Sequence, residues 1–193
     1  VPDIEETIMT IANIPAAPTV LGLDHAAYRC RDAEETRHFY EDILGLPLVH
    51  ALREEKVAST GEERAFVHLF FALADGSCIA FFDLGDGEAA IPSPNTPAWV
   101  NHICLNVPSQ EALAALKARA EAHGIDVLGV TDHGAWLSIY FFDPNGVRLE
   151  FALATSTEDE QREWAKTAHD LLKTWNDQKP DRQRQRAAAD ARG

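Results

Sequence analysis

Ser138-Ile-Tyr-Phe-Phe-Asp-Pro-Asn-Gly-Val-Arg-Leu-Glu150 is the stretch on which the reading of this chain turns, because it spells a strand, a tight turn and a second strand that ends in a carboxylate. Asn145-Gly146 is a strong two-residue hairpin signal, since both residue types tolerate the positive φ that such turns require. On the second strand Val147, Leu149, Phe151 and Leu153 share one face, and Arg148, Glu150 and Ala152 share the other. Glu150 therefore stands between bulky apolar neighbours. Taken alone it reads as a solvated outer-face residue.

Outward from this hairpin the chain repeats itself. Leu23 to Cys30 alternates as a strand, and Asp32 with Glu35 offers a capping box for a helix whose apolar stripe is Phe39, Tyr40, Ile43 and Leu44, ended by Gly45 and Pro47. Strand-like runs follow over Leu48 to Glu54, Ala65 to Leu73 and Cys78 to Leu84, the last two joined at Asp75-Gly76. After the Pro-rich linker Ile91 to Pro97 the order returns. A strand over Trp99 to Val107 leads to an N-cap at Ser109, then to a helix carrying Leu113, Leu116 and Ala120. Strands near Val127 to Val130, Leu137 to Phe142 and Val147 to Leu153 complete the second set. Leu-Asp-His25 answers Val-Asn-His102, and Asp75-Gly76 answers Asn145-Gly146, so the expected fold is α+β, built of two βαβββ modules.

The predicted organisation is an N-terminal extension over 1–22, a paired-module domain over 23–153 with module one at 23–90 and module two at 97–153, a C-terminal helix over 154–178 and a flexible tail over 179–193. Thr157 and Glu160 form a capping box for the C-terminal helix, and Trp164, Ala168, Leu171, Leu172 and Trp175 mark one face of it, which calls for docking on the sheet or on a partner subunit.

A net charge of −14 argues against nucleic acid and anionic membrane surfaces as partners. The N-terminus has neither the basic start nor the apolar core of a secretory signal, and no apolar run reaches membrane-spanning length. Cys30, Cys78 and Cys104 lie in apolar segments without CxxC spacing, which suits free, buried thiols and a cytoplasmic location. There is no Gly-rich phosphate loop and no serine nucleophile elbow.

With these modules, with His25 and His102 at equivalent places and with the Tyr-Phe-Phe-Asp-Pro-Asn-Gly run, the sequence from about Leu23 to Leu153 resembles the vicinal oxygen chelate superfamily of glyoxalases, bleomycin- and fosfomycin-resistance proteins and extradiol dioxygenases. The resemblance implies a curved, mixed-sheet half-barrel around a divalent metal held by His25, His102 and Glu150. It also implies a homodimer, in some members with ligands drawn from two chains. The family's fourth ligand position falls on Ala80, which cannot bind a metal. A two-His, one-carboxylate set is the arrangement associated with non-haem Fe(II). Alternatives for the ion are Mn, Zn, Ni and Co.

Tyr140 holds the place of a substrate-contacting tyrosine in the dioxygenases, whereas Ser77 stands where they carry a catalytic histidine. His68, which matches Ser138 in the repeat, and His133 are the substitutes for that acid or base, each equally readable as a structural residue. Phe66, Phe70, Phe142 and Trp136 would line a cavity suited to a small aromatic or apolar substrate, and Arg29 and Arg148 share its inward period. The expected function is thus an Fe(II) extradiol-type ring-cleaving dioxygenase taking a catechol-like substrate and dioxygen. A lyase, isomerase or epimerase using another divalent metal is the alternative, and a non-catalytic small-molecule-binding resistance protein is a third reading.

Overall fold

A computed structural model of the chain describes residues 19–190, so most of the expected N-terminal extension lies outside the described residues. The elements are β1 (His25–Cys30), α1 (Ala33–Arg37) continuing into a π-helical turn (His38–Ile43), β2 (Leu48–Lys56), β3 (Glu63–Ala72), β4 (Cys78–Asp83), β5 (Ile103–Asn106), α2 (Gln110–Ala122), β6 (Leu128–Asp132), β7 (Trp136–Phe142), β8 (Arg148–Ala154) and α3 (Glu158–Asp190). The α+β class and the two βαβββ modules follow the sequence reading.

One sheet has strand order β1-β4-β3-β2 and the other β5-β8-β7-β6. In each, the first and last strands of the module run parallel and the remaining pairs antiparallel, which makes both sheets mixed. The registers agree residue for residue. Phe70 pairs with Ala80 and Ala80 with Ala27, just as Tyr140 pairs with Glu150 and Glu150 with Cys104. Ala80 is therefore the counterpart of Glu150, and His68 that of Ser138.

The chain divides into two compact units. The first runs to Ala33 and resumes over Leu46–Glu88; the second takes Glu34–Gly45 together with everything from Ala89 onward. In the first unit Leu69, Phe71, Ile79 and Phe81 form a buried face, and Asp83 Oδ2 accepts the Ala33 N–H at 2.8 Å, holding a first-turn donor that the helix itself cannot satisfy.

Thus the helix of module one belongs by packing to the second unit. There its stripe of Phe39, Tyr40, Ile43 and Leu44 is buried. Leu44 N–H bonds Phe39 O at 3.0 Å, an i to i+5 closure that widens the last turn. Phe39 meets Phe141 edge-on at 6.3 Å, and the Arg119 guanidinium of α2 donates to the Asp42 and Ile43 carbonyls. With Leu113 and Ala120 of α2, these residues cover the Ile139, Phe141, Leu149 and Phe151 face of the second sheet. The other face of that sheet carries Ser138, Tyr140, Arg148 and Glu150.

Asn145-Gly146 joins β7 to β8, but in a wider turn than the two-residue hairpin expected. Among the described residues only glycines have positive φ, and the turn is Asp143 to Gly146, closed by Gly146 N–H to Asp143 O at 3.1 Å with Gly146 at φ 81°. Pro144 and Gly146 suit the second and fourth places of a type I turn. Asp143 fixes it, its Oδ1 accepting the Asn145 and Val147 N–H groups at 2.9 and 2.7 Å. These captured donors favour the longer turn. At Gly129 on β6, φ is 109° and a Cβ would lie 2.6 Å from Ser138 O, so glycine alone permits this approach to β7.

The capping box of α3 forms as read, with Glu160 N–H to Thr157 Oγ1 at 3.3 Å and Thr157 N–H to Glu160 Oε2 at 2.7 Å. The helix then runs to Asp190 with Pro180 inside it, past the expected end at 178 and through most of the segment read as a tail. Pro180 removes one donor, yet the Arg-, Gln- and Ala-rich run beyond it has high helix propensity and carries the helix on. Trp164 packs on Trp136 at 5.7 Å, while Leu171, Leu172 and Trp175 remain exposed. No helix among the described residues is long and apolar enough to cross a membrane.

Candidate metal centre

The strand register puts Leu128, Tyr140, Glu150 and Cys104 in one row across the polar face of the second sheet. His102 lies two residues before Cys104, on the same period. Its Nε2 stands 3.0 Å from Glu150 Oε2, and its Nδ1 lies 3.0 Å from Val100 O. The carbonyl can only accept, so Nδ1 carries a proton, and Nε2 is the ring nitrogen turned toward the carboxylate. At that separation the two groups are joined either by a proton on Nε2, as an ion pair, or by a metal ion that takes both as ligands. Cis ligands about 2.1 Å from an octahedral ion lie about 3.0 Å apart, so this pair fits two adjacent positions of a divalent centre.

Glu150 is buried, which pushes its pKa up, but hydrogen bonding from Ser138 and Tyr140, the nearby His102 and the Cys104 thiol outweigh burial and hold it below the usual glutamate value. Tyr140 Oη donates to Glu150 Oε1 at 2.8 Å and meets His133 Nε2 at 2.7 Å. The sequence candidates His133, Tyr140, Glu150 and His102 thus form one continuous polar chain. Burial, reinforced by Glu150, raises the Tyr140 pKa, so the phenol keeps its proton for the carboxylate. The Arg148 guanidinium lies 4.4 Å over the Tyr140 ring.

His25 and His68 lie in the first unit. His25 Nδ1 is 2.5 Å from Asp24 Oδ1, so Nε2 is the ring nitrogen that this contact does not engage. Its ring meets His68 at 5.9 Å and Phe70 at 5.4 Å. His68 is stacked on Phe82 at 3.7 Å, its Nε2 buried without a hydrogen-bond partner, and burial with His25 and His50 nearby lowers its pKa to about 4. Among the described residues no group of three or more His, Cys, Asp or Glu side chains is gathered as a metal cage.

Ser77 Oγ, at the place of the absent histidine, is bonded to Asp75 Oδ1 at 2.7 Å. Trp136, expected in the cavity, is instead engaged by Trp164. All three cysteines are free, but Cys104 is exposed rather than buried because it stands on the polar face, where partial burial and Glu150 push its thiol up to about 11. Trp99, read as the start of a strand, sits in the turn before β5, where Val100 N–H bonds Pro97 O at 2.9 Å.

The model of the Glyoxalase/Bleomycin resistance protein/Dioxygenase superfamily matches residues 22–151, and the chain belongs to that superfamily. Solved structures share its fold. A glyoxalase/dioxygenase from Nostoc punctiforme is 20% identical, covering 73% of this chain and 100% of its own, with a TM-score of 0.51. A lactoylglutathione lyase from Agrobacterium tumefaciens is 21% identical over 70% of this chain and 96% of its own, TM-score 0.50. The fosfomycin resistance protein FosX from Listeria monocytogenes, complexed with Mn(II) and sulfate ion, is 20% identical over 74% and 98%, TM-score 0.52. No curated protein matches the sequence.

Proposed function

We propose that this protein is a metal-dependent enzyme whose divalent ion is held by His102 and Glu150 together with His25 from the first unit, of this chain or of a second copy in a homodimer. The observation that carries the reading is the 3.0 Å approach of His102 Nε2 to Glu150 Oε2, with Nδ1 tied to a carbonyl. The bound ion supplies Lewis acidity, lowering the pKa of a chelating substrate hydroxyl and drawing both reactants together.

The residues supply the rest. Tyr140 holds the carboxylate by one oxygen, leaving Oε2 toward His102, and His133 is placed to exchange a proton with the tyrosine hydroxyl. Ala80 at the fourth position leaves coordination sites open, which favours Fe(II) and ring cleavage of a catechol-like substrate by dioxygen. The second reading, a lyase, isomerase or epimerase using Mn, Zn, Ni or Co, is favoured by Ser77, whose hydroxyl is committed to Asp75 where the dioxygenases have a histidine.

Elemental analysis of anaerobically purified protein beside a His102→Ala variant tests the centre, and a catechol panel followed by oxygen uptake and yellow product tests the chemistry. Iron lost in the variant, with oxygen consumed, is the expected outcome. Stoichiometric Zn, Mn, Ni or Co without oxygen uptake moves the assignment to the second reading, and absence of any metal refutes both. Mixing His25→Ala with His102→Ala protein restores part of the metal binding only where two chains share a site.

A further inference from the structure

In the second unit, beside the Tyr140 and Glu150 row, lies a cavity of about 390 Å³ whose walls include Trp99, Leu128, Tyr140, Phe142, Asp126 and Arg148. Its lining is mostly apolar and aromatic, with one cation. Arg148 comes from β8 two residues before Glu150, half-buried and stacked on Tyr140. Among the described residues no carboxylate pairs with its guanidinium and no carbonyl accepts from it.

That is unusual company for an arginine in a chain with 31 acidic and 17 basic residues. Arg29, which shares the inward period in module one, is closed off by Asp86 at 2.5 Å and Glu88 O at 2.9 Å. Arg37 is ringed by Glu34, Glu41 and Asp42. Arg148 has a ring to rest on and an apolar cavity before it, the arrangement that orients a planar fork toward an incoming anion.

We propose that this cavity is the recognition site for a small carboxylic acid with a flat apolar body, its carboxylate bound by Arg148 and its body against Trp99, Leu128 and Phe142. The inference deepens the reading above, since it names an acid as the substrate class of the same site. Asp126, exposed at the wall, is the carboxylate that such a ligand meets. A monoanion with its charge at the Arg148 end leaves Asp126 hydrated, whereas a polyanion such as a nucleotide is repelled.

The test is titration calorimetry of the full, EDTA-treated chain with 2-naphthoate and with neutral 2-naphthamide, so that metal ligation contributes nothing. Wild type is expected to bind naphthoate at least about tenfold more tightly than naphthamide, as charge-assisted pairing implies. Arg148→Gln brings that ratio to about one without changing naphthamide binding, which shows the cavity still formed, and Arg148→Lys keeps part of the preference. Equal affinities in wild type, no saturable binding of either ligand, or a preference that survives Arg148→Gln overturns the proposal. Metal titration of the same preparations reports separately on the centre: naphthoate preference without metal binding sinks the metal reading and leaves the acid site, and the reverse does the opposite.

Discussion

Place for place, the sheets of β1–β4 and β5–β8 share strand order and register, yet where one carries His68, Phe70, Ala80 and Phe82 the other carries Ser138, Tyr140, Glu150 and Ala152. Their opposite faces hardly differ. Leu69, Phe71, Ile79 and Phe81 answer Ile139, Phe141, Leu149 and Phe151, all of them buried. The repeat thus holds its scaffold through one face and divides its chemistry on the other. Module two has a carboxylate with donors around it, and module one an aromatic surface around a neutral histidine. Among the described residues, even the buried side-chain nitrogen and oxygen atoms that lack a hydrogen bond of regular geometry, His68 Nε2 and Ser138 Oγ, occupy the same place in the two sheets.

The strongest way to break the comparison is to delete the carboxylate. Glu150→Ala should lower metal affinity at least about 100-fold, beyond what loss of a supporting hydrogen bond costs, whereas Ala80→Gly at the equivalent place should leave metal content unchanged. Equal metal content in the two variants by elemental analysis would remove Glu150 from the centre.

The turns differ in the same sense. Asp143 is buried and accepts from Tyr40 Oη at 3.1 Å, Asn145 Nδ2 at 3.2 Å and two backbone N–H groups. Burial raises its pKa against the pull of these bonds. Asp75, in the equivalent loop, is exposed, and its Oδ1 accepts from the N–H and hydroxyl of Ser77. Asp143→Ala should therefore cost about 3 kcal/mol, since several buried donors lose their acceptor, and Asp75→Ala about 1 kcal/mol. Chemical denaturation of both variants checks the difference, and similar midpoints would count against it.

His68 gives module one a pH dependence that Ser138 cannot give module two. Its folded pKa of about 4 lies below the ordinary histidine value of 6.5, with burial the largest cause and the His25 and His50 charges next; Phe70 and Phe82 are its other ring neighbours. The unfolded chain takes up the proton first. Stability is intact above pH 6.5 and falls as the pH drops toward 4, by about 2–3 kcal/mol in metal-free protein. His68→Gln should flatten that limb; an unaltered slope in urea melts from pH 7 to 4 would refute the assignment.

Much of this was legible in the sequence. His25 and His102 at matching places, and the loops at Asp75-Gly76 and Asn145-Gly146, gave the repeat, and the period of two gave the polar face. What period and spacing cannot convey is competition between nearby groups. The Asp143 side chain captured the donors that set the turn, and Pro180 failed to stop α3 because the residues after it are strong helix formers. The packing of the first module's helix with the second unit was hidden for a related reason: an apolar stripe specifies burial, not the partner. Likewise nothing in the spacing of His133 and Tyr140 joins them, and only the fold brings His133 Nε2 to 2.7 Å from the Tyr140 hydroxyl.

The smallest expected effect comes from removing the hydroxyl oxygen by which Tyr140 differs from its counterpart Phe70. Tyr140→Phe gives the second sheet the first sheet's residue at this one place, with Glu150 still beside it where Phe70 has Ala80. The substitution keeps the ring under Arg148 and removes the hydroxyl that bonds Glu150 Oε1 and His133. Loss of that support should weaken metal binding about tenfold while leaving the fold intact, and it should raise the Glu150 pKa, because a donor to the charged form is gone. The reciprocal Phe70→Tyr supplies a hydroxyl with no carboxylate at position 80 to receive it, so it should gain nothing in metal affinity. Competitive metal titration of the pair decides: if Tyr140→Phe binds as wild type, the tyrosine is packing on this face, as Phe70 is on the other, and the proton path from His133 to the centre falls with it.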